Sequence, residues 1–164
     1  MMISSSRLSS GSVPGSIDHP VRYHEANING TLAVLEAARA ANVQRVMFAA
    51  SSSAYGDSEE LPKHERMPVL AKSPYAAQKA AGEAMMRAWA DSYRLDTASL
   101  RYFNIFGPRQ NANSAYAAVI AAFAKALLTG EQAIIFGDGE QSRDFTFVHN
   151  AVHANLLAAR HDGP

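Results

Sequence analysis

The chain has 164 residues, 48% hydrophobic and 18% charged, the balance of a globular chain with a buried core rather than a disordered one. Fifteen Lys and Arg offset fifteen Asp and Glu, so the basic excess of a nucleic-acid binder or of an anionic-membrane binder is missing. There is no Cys, which excludes disulfide frameworks, cysteine zinc sites and thiol nucleophiles, and fits a reducing, cytoplasmic setting.

Residues 1–16 are rich in Ser and read mostly as a flexible start, with no apolar stretch of signal-peptide type. Ile28, Leu32, Leu35 and Ala38 recur at helical spacing, and Asn42 closes that helix. Val43 to Ala50 is a short apolar run of strand length that ends in Ser51-Ser52-Ser53. Residues 54–72 mix Gly, Pro and charge and read as a loop. Ser73-Pro74 is a helix start, with Ser as cap and Pro in the first turn, and the helix should reach about Tyr93. Thr97 to Phe103 reads as a second strand and Asn104 to Asn113 as loop. Ser114 can cap a third helix, whose Tyr116, Val119, Ile120, Phe123 and Leu127 form a stripe read as ordinary core, and Gly130 ends it. Ile134 to Phe136 and Phe145 to Val148 read as short strands around the turn Gly137-Asp138-Gly139, before a last helix over about His149 to Arg160. Alternating helices and strands predict an α/β layered fold with parallel strands. No run approaches the ~20 apolar residues of a membrane span.

Tyr75 and Lys79 are the most informative pair, because residues four apart share one face of a helix. A phenol, with a pKa near 10, is a poor base at neutral pH, and a cation held beside it favours the phenolate. The competing reading is a solvated Lys beside a surface Tyr. Ser51, Ser52 and Ser53 lie at a strand's carboxyl end, the side that faces the ligand crevice in a parallel sheet. They suit hydrogen bonds to a substrate oxygen, or they merely satisfy the strand end. His149 and His153 stand four apart on the last helix without a third ligand, so no metal site is expected. Asp144 reads as a structural hydrogen-bonder. Arg109 either reaches a phosphate or fixes its own loop, and Trp89 reads as packing.

Several segments in order and spacing carry a resemblance: Ser12 to Ile17, Asn27-Ile28-Asn29-Gly30-Thr31, Ala50 to Asp57, Leu61-Pro62-Lys63, Ser73 to Lys79, Leu100-Arg101-Tyr102-Phe103-Asn104, Gly107 to Gln110, and Gly137 to Phe145. Together they resemble the extended short-chain dehydrogenase/reductases of the NAD-dependent epimerase/dehydratase family. Within it the segments are most similar to UDP-N-acetylglucosamine/UDP-glucose 4-epimerases. The resemblance implies a partial Rossmann-like, doubly wound parallel sheet lacking its N-terminal strands, plus part of a small substrate domain. It divides the chain into 1–11 as a flexible start, 12–112 as the C-terminal half of a dinucleotide-binding domain, and 113–164 as part of a nucleotide-sugar-binding region with a return helix.

The resemblance also implies roles. Tyr75 is the base, Lys79 lowers its pKa and bonds the nicotinamide ribose, and Ser51 takes the catalytic Ser/Thr position. Ser52 and Ser53 add polar contacts near the catalytic group, and Phe103 lies near the nicotinamide of NAD. Asn104 and Arg143 contact the diphosphate region of a UDP-sugar, Val119 borders its nucleoside, and Ser12 its sugar. The reaction implied is oxidation at C4 and re-reduction on the other face. Dehydratases of this family carry Asp-Glu where this chain has Ser52-Ser53, and a serine is a poor acid for a leaving hydroxyl, which favours epimerase over dehydratase. A decarboxylase or reductase of the same family stays open. So does a non-catalytic remnant that binds a nucleotide sugar or a partner subunit.

The Gly-rich turn that binds a dinucleotide pyrophosphate in this family has no match in the chain. Gly137-x-Gly139-x-x-Ser142 lacks its third Gly and reads as a tight turn. The expectation is therefore a fragment with an incomplete NAD site, inactive alone, that forms a homodimer or associates through an exposed sheet edge.

Overall fold

The computed structural model describes residues 11–111, 119–135 and 137–161. They form two compact units. The first runs up to Arg101 and takes in the residues from Asn155 onward, and the second is Tyr102–Ala154.

In the first unit, α1 is Val13–Asp18 and α2 is Pro20–His24. A π-helical turn, Glu25–Asn29, leads straight into α3, Gly30–Ala40. β1 is Arg45–Ser51, followed by a 3₁₀ turn at Ser52–Tyr55. After a long loop come α4, Pro74–Tyr93, and β2, Asp96–Tyr102. β1 and β2 are neighbours in one sheet, joined by the α4 crossover, the strand–helix–strand unit of a partial Rossmann-like parallel α/β fold. Leu35, Ala38, Met86 and Leu95 form the core between α3, α4 and the sheet, with Val46, Phe48, Met85 and Trp89 packed on it. Burying a side chain the size of Leu35 or Met86 contributes roughly 1.5–3 kcal/mol each.

α4 keeps its expected ends for local reasons. Ser73 Oγ accepts the Ala76 N–H at 3.1 Å, and Arg94 leaves the helix in the left-handed region, φ 56°. The Ser-rich start differs from expectation, because Ser12 caps a real helix there, α1.

In the second unit, β3 is Asn104–Phe106, α5 is Val119–Thr129, β4 is Phe145–Phe147, and α6, Val148–Arg160, crosses into the first unit's residues. β3 and β4 pair in parallel, with Asn104 opposite Phe145 and Phe106 opposite Phe147. Asn104–Phe106 is therefore strand and not loop. Ile134 and Ile135 are not strand, and Phe136, Ser114 and Tyr116 lie outside the described residues. The Gly137-Asp138-Gly139 turn is as expected. Both glycines have φ near +80°, and Asp138 Oδ1 accepts the Glu140 N–H at 3.1 Å. The stripe on α5 is not the buried core its spacing suggested: Leu127 is 82% exposed and Val119 40%. Among the described residues no helix is long and apolar enough to cross a membrane.

Candidate active site

The first unit brings Ser51, Ser53, Tyr75 and Lys79 together. Ser51 closes β1 and caps the 3₁₀ turn that follows it. Its Oγ accepts the Ser53 N–H at 3.2 Å and the Ser53 hydroxyl at 2.8 Å. Ser53 is thereby a support for Ser51, and Ser52 sits half-buried in the same turn.

Tyr75 stands in the first turn of α4. Its N–H donates to Ser16 Oγ at 3.1 Å, and the Ser16 hydroxyl donates in turn to the Val13 carbonyl at 2.7 Å. Lys79, one turn on, is only 4% exposed. Its ammonium donates to the Ala49 carbonyl on β1 at 2.8 Å. It stands 5.1 Å from the Phe48 ring centre and 5.8 Å from that of Tyr75. The solvated surface pair is thus excluded.

The electrostatics depart from the expectation that Lys79 lowers the Tyr75 pKa. Burial pushes the Tyr75 phenol above its ordinary value of 10.0, a hydrogen bond with Ser51 opposes that rise, and nearby Tyr23 adds to it. Burial also pushes Lys79 below 10.5. The physical reason is that desolvation disfavours the charged form of both groups.

The other expected residues are placed as follows. Ser12 accepts the Gly15 N–H at 3.1 Å and so caps α1, the helix that carries Ser16. Phe103 is half-buried between β2 and β3. Asn104 is exposed, and its Nδ2 donates to the Asp144 carbonyl at 2.9 Å, which ties β3 to the strand beside it. The same Asp144 carbonyl accepts the Asn104 N–H at 3.2 Å. Val119 and Arg143 line one cavity of about 730 Å³ in the second unit, with Phe123, Leu127 and Phe145. Arg109 has φ 68° in the loop after β3 and lines a different cavity of about 550 Å³. His149 stacks on Phe147 at 4.9 Å. Trp89 packs on the core and donates from Nε1 to Glu36 at 3.0 Å.

Some supporting residues had no assigned role in the sequence. Ser16 is fully buried and holds the Tyr75 backbone. Asn27 donates to Gln78 at 3.0 Å. Arg101 forks onto Glu83 at 2.7 to 3.1 Å, and its guanidinium lies 4.8 Å from the Tyr55 ring centre. All of them lie in the segments that carried the family resemblance or next to α4, and that position was their only sequence signal.

Comparison with known proteins adds the following. A family model described as "NAD dependent epimerase/dehydratase family" matches residues 7–164. A UDP-glucose 4-epimerase of Mycolicibacterium smegmatis is 42% identical over 148 residues, covering 90% of this chain and 47% of that protein. The solved UDP-N-acetylglucosamine 4-epimerase of Methanobrevibacter ruminantium, in complex with UDP-N-acetylmuramic acid, is 47% identical with a TM-score of 0.92. That match covers 94% of this chain and 50% of the other. The Thermus thermophilus UDP-glucose 4-epimerase, in complex with NAD, is 35% identical with a TM-score of 0.86, over 94% of this chain and 51% of the other. The chain spans about half the length of the curated relatives it matches.

Proposed function

This chain belongs to the NAD dependent epimerase/dehydratase family, and on that premise we propose that it carries the catalytic residues of a nucleotide-sugar 4-epimerase that works with NAD. The observation that supports this most is the meeting of Ser51, Tyr75 and Lys79 at the end of β1, with Ser51 and Lys79 buried and Ser51 hydrogen-bonded to a half-buried Tyr75. In this reading residues 12–112 are the C-terminal half of a dinucleotide-binding domain, and 113–164 belong to the nucleotide-sugar-binding region.

The donor set fits one end of NAD. A phenol and a buried ammonium on one helix face suit the hydroxyls of a ribose. The pyrophosphate end has no such fit among the described residues. β1 leads into the Ser52–Tyr55 turn and β2 into β3, so neither makes a Gly-rich strand-to-helix turn. The proposal is therefore a site completed by residues outside those described.

Bound NAD supplies the hydride acceptor and returns the hydride. Tyr75 takes the proton of the C4 hydroxyl as that carbon is oxidised to the ketone, and gives it back when the ketone is reduced on its other face. Ser51, hydrogen-bonded to Tyr75, holds the sugar oxygen in the path of that proton. Ser53 orients Ser51 by donating to its oxygen. Lys79 favours the phenolate form by its charge, against the burial that raises the phenol's pKa. Ser52 and Ser53, in place of a carboxylic acid pair, support epimerisation over loss of water. Asn104, Arg143, Val119 and Ser12 are proposed to contact the UDP-sugar, and Phe103 the nicotinamide. The exposed edge and helices are proposed to pair with a second copy.

Titration of the chain with UDP-glucose and UDP-N-acetylglucosamine, followed by calorimetry, tests the sugar-nucleotide part. Saturable binding of either that falls on Arg143→Ala is expected. No binding of any UDP-sugar by a folded chain would refute that part.

A further inference from the structure

We propose that the buried Asn27–Gln78 hydrogen bond, set up by the π-helical turn Glu25–Asn29, is a positioning device that fixes α4 against the α2–α3 helix and so helps to place Tyr75 and Lys79 beside Ser51. The proposal rests on the reading of Tyr75 and Lys79 as the catalytic pair. It does not rest on turnover.

The π turn is the first observation. Gly30 donates its N–H to the Glu25 carbonyl, five residues back, inside an otherwise continuous helix from Pro20 to Ala40. Such one-turn bulges are rare and persist where they re-aim side chains. The phase arithmetic shows the effect. Tyr23 and Leu35 are both buried, at 8% and 0% exposure. Twelve residues of uninterrupted α-helix would set them about 120° apart, and giving one residue to the bulge leaves about 20°. Asn27, within the bulge, is turned inward to 3% exposure. The Asn27 carbonyl also accepts from the Thr31 hydroxyl at 2.6 Å.

The receiving side is the second observation. Gln78 lies in the second turn of α4, next to Lys79, and is 8% exposed. Its Oε1 accepts from Asn27 Nδ2 at 3.0 Å. Two apolar side chains would fill that space at lower desolvation cost. A directional bond instead sets a distance and an angle between the two helices. The rest of the same face is pinned in the same way, each time to a different element. The Tyr75 N–H is held by Ser16 of α1, and Lys79 by the Ala49 carbonyl of β1. Asn27 thus acts beside Ser16 and Ala49 as a polar anchor for the Tyr75–Lys79 stretch of α4.

The test uses this chain with 13C-labelled tyrosine, the Tyr75 resonance being assigned by Tyr75→Phe. The variants are Gln78→Met, which keeps length and helix propensity but removes the acceptor, and the exchange Asn27→Gln/Gln78→Asn, which restores an amide pair of the same total length. Burial is the largest influence on Tyr75, so a loosened α4 should move its titration midpoint down, toward ordinary tyrosine, by at least about half a pH unit in Gln78→Met. The exchange should return the midpoint to that of the parent. A Gln78→Met chain that melts lower but titrates unchanged would overturn the proposal. So would a Gln78→Met chain that does not fold, since the pair would then hold the unit together rather than place Tyr75, and so would an exchange variant that folds yet stays displaced. None of these readouts requires epimerisation, so failure of the proposed reaction would be seen separately.

Discussion

Gly82 of α4 lies against the Phe48 ring of β1, and Gly82→Ala tests that contact. A Cβ built at Gly82 would lie 2.3, 2.8 and 3.0 Å from three atoms of the Phe48 ring. No methyl group fits there unless the ring or the helix moves. Phe48 cannot simply swing away, because it packs on the core cluster and carries the Lys79 ammonium at 5.1 Å. Alanine favours the helix over glycine by about 1 kcal/mol. Overpacking of this kind costs about 1–3 kcal/mol and, with three ring atoms inside contact distance, the upper part of that range applies. The net expectation is a loss of about 1–2 kcal/mol, which for a chain of this size lowers Tm by roughly 3–8 °C. Thermal melting followed by circular dichroism measures it, with Phe48→Leu added to Gly82→Ala expected to recover part of the loss. A higher Tm for Gly82→Ala would mean that propensity dominates, and the close packing of α4 on β1 would be refuted.

Other outcomes follow from the same contacts. Glu83→Ala leaves the Arg101 guanidinium, 16% exposed, without its carboxylate, and should cost about 3 kcal/mol in urea unfolding; a loss under about 1 kcal/mol would place the pair in effective contact with water. Met86→Ala removes a side chain that is 2% exposed in the core and should cost about 2–5 kcal/mol by the same assay. The two site groups give opposite pH trends in the urea midpoint. Lys79 is lowered, so between its folded pKa and 10.5 the unfolded chain holds a proton that the folded chain has released, and its contribution to stability rises with pH. Tyr75 is raised, so its contribution is full below pH 10 and is lost as pH climbs through the folded value. Lys79→Met should remove the rise and Tyr75→Phe the fall; unchanged profiles would contradict the burial of the pair.

The residues that were legible in the sequence are those whose signals are local. Ser73-Pro74 announced α4, and the cap bond to Ala76 accounts for it. The YAAQK spacing placed Tyr75 and Lys79 on one face, and the serines at the end of β1 stand where an α/β sheet presents its ligands. Most failures are non-local. Asn104–Phe106 is a strand only because Phe145–Phe147 pairs with it some forty residues on. The apolar stripe of α5 has helical spacing but lies exposed or along a cavity, since spacing reports a face and not what covers it. The balance at the Tyr75 phenol was not legible for a similar reason: a motif gives the neighbour's charge, and only packing gives the desolvation that raises the pKa against it. One miss is local: Ser12 to Ser16 fell within the Ser-rich start, though the Ser12 cap and Pro14 are a helix start.

The central claim is that Tyr75, with Ser51 and Lys79, is the base of a nucleotide-sugar 4-epimerase. The direct measurement is C4 epimerisation of UDP-N-acetylglucosamine and UDP-glucose with NAD, followed by NMR. The chain would replace the matching segment of the Methanobrevibacter ruminantium relative, a match that covers 50% of that protein. The account predicts interconversion of the C4 epimers by the chimera, and a drop of about 10²–10⁴-fold in kcat for Tyr75→Phe with sugar binding retained. A Tyr75→Phe chimera as active as its parent would contradict it.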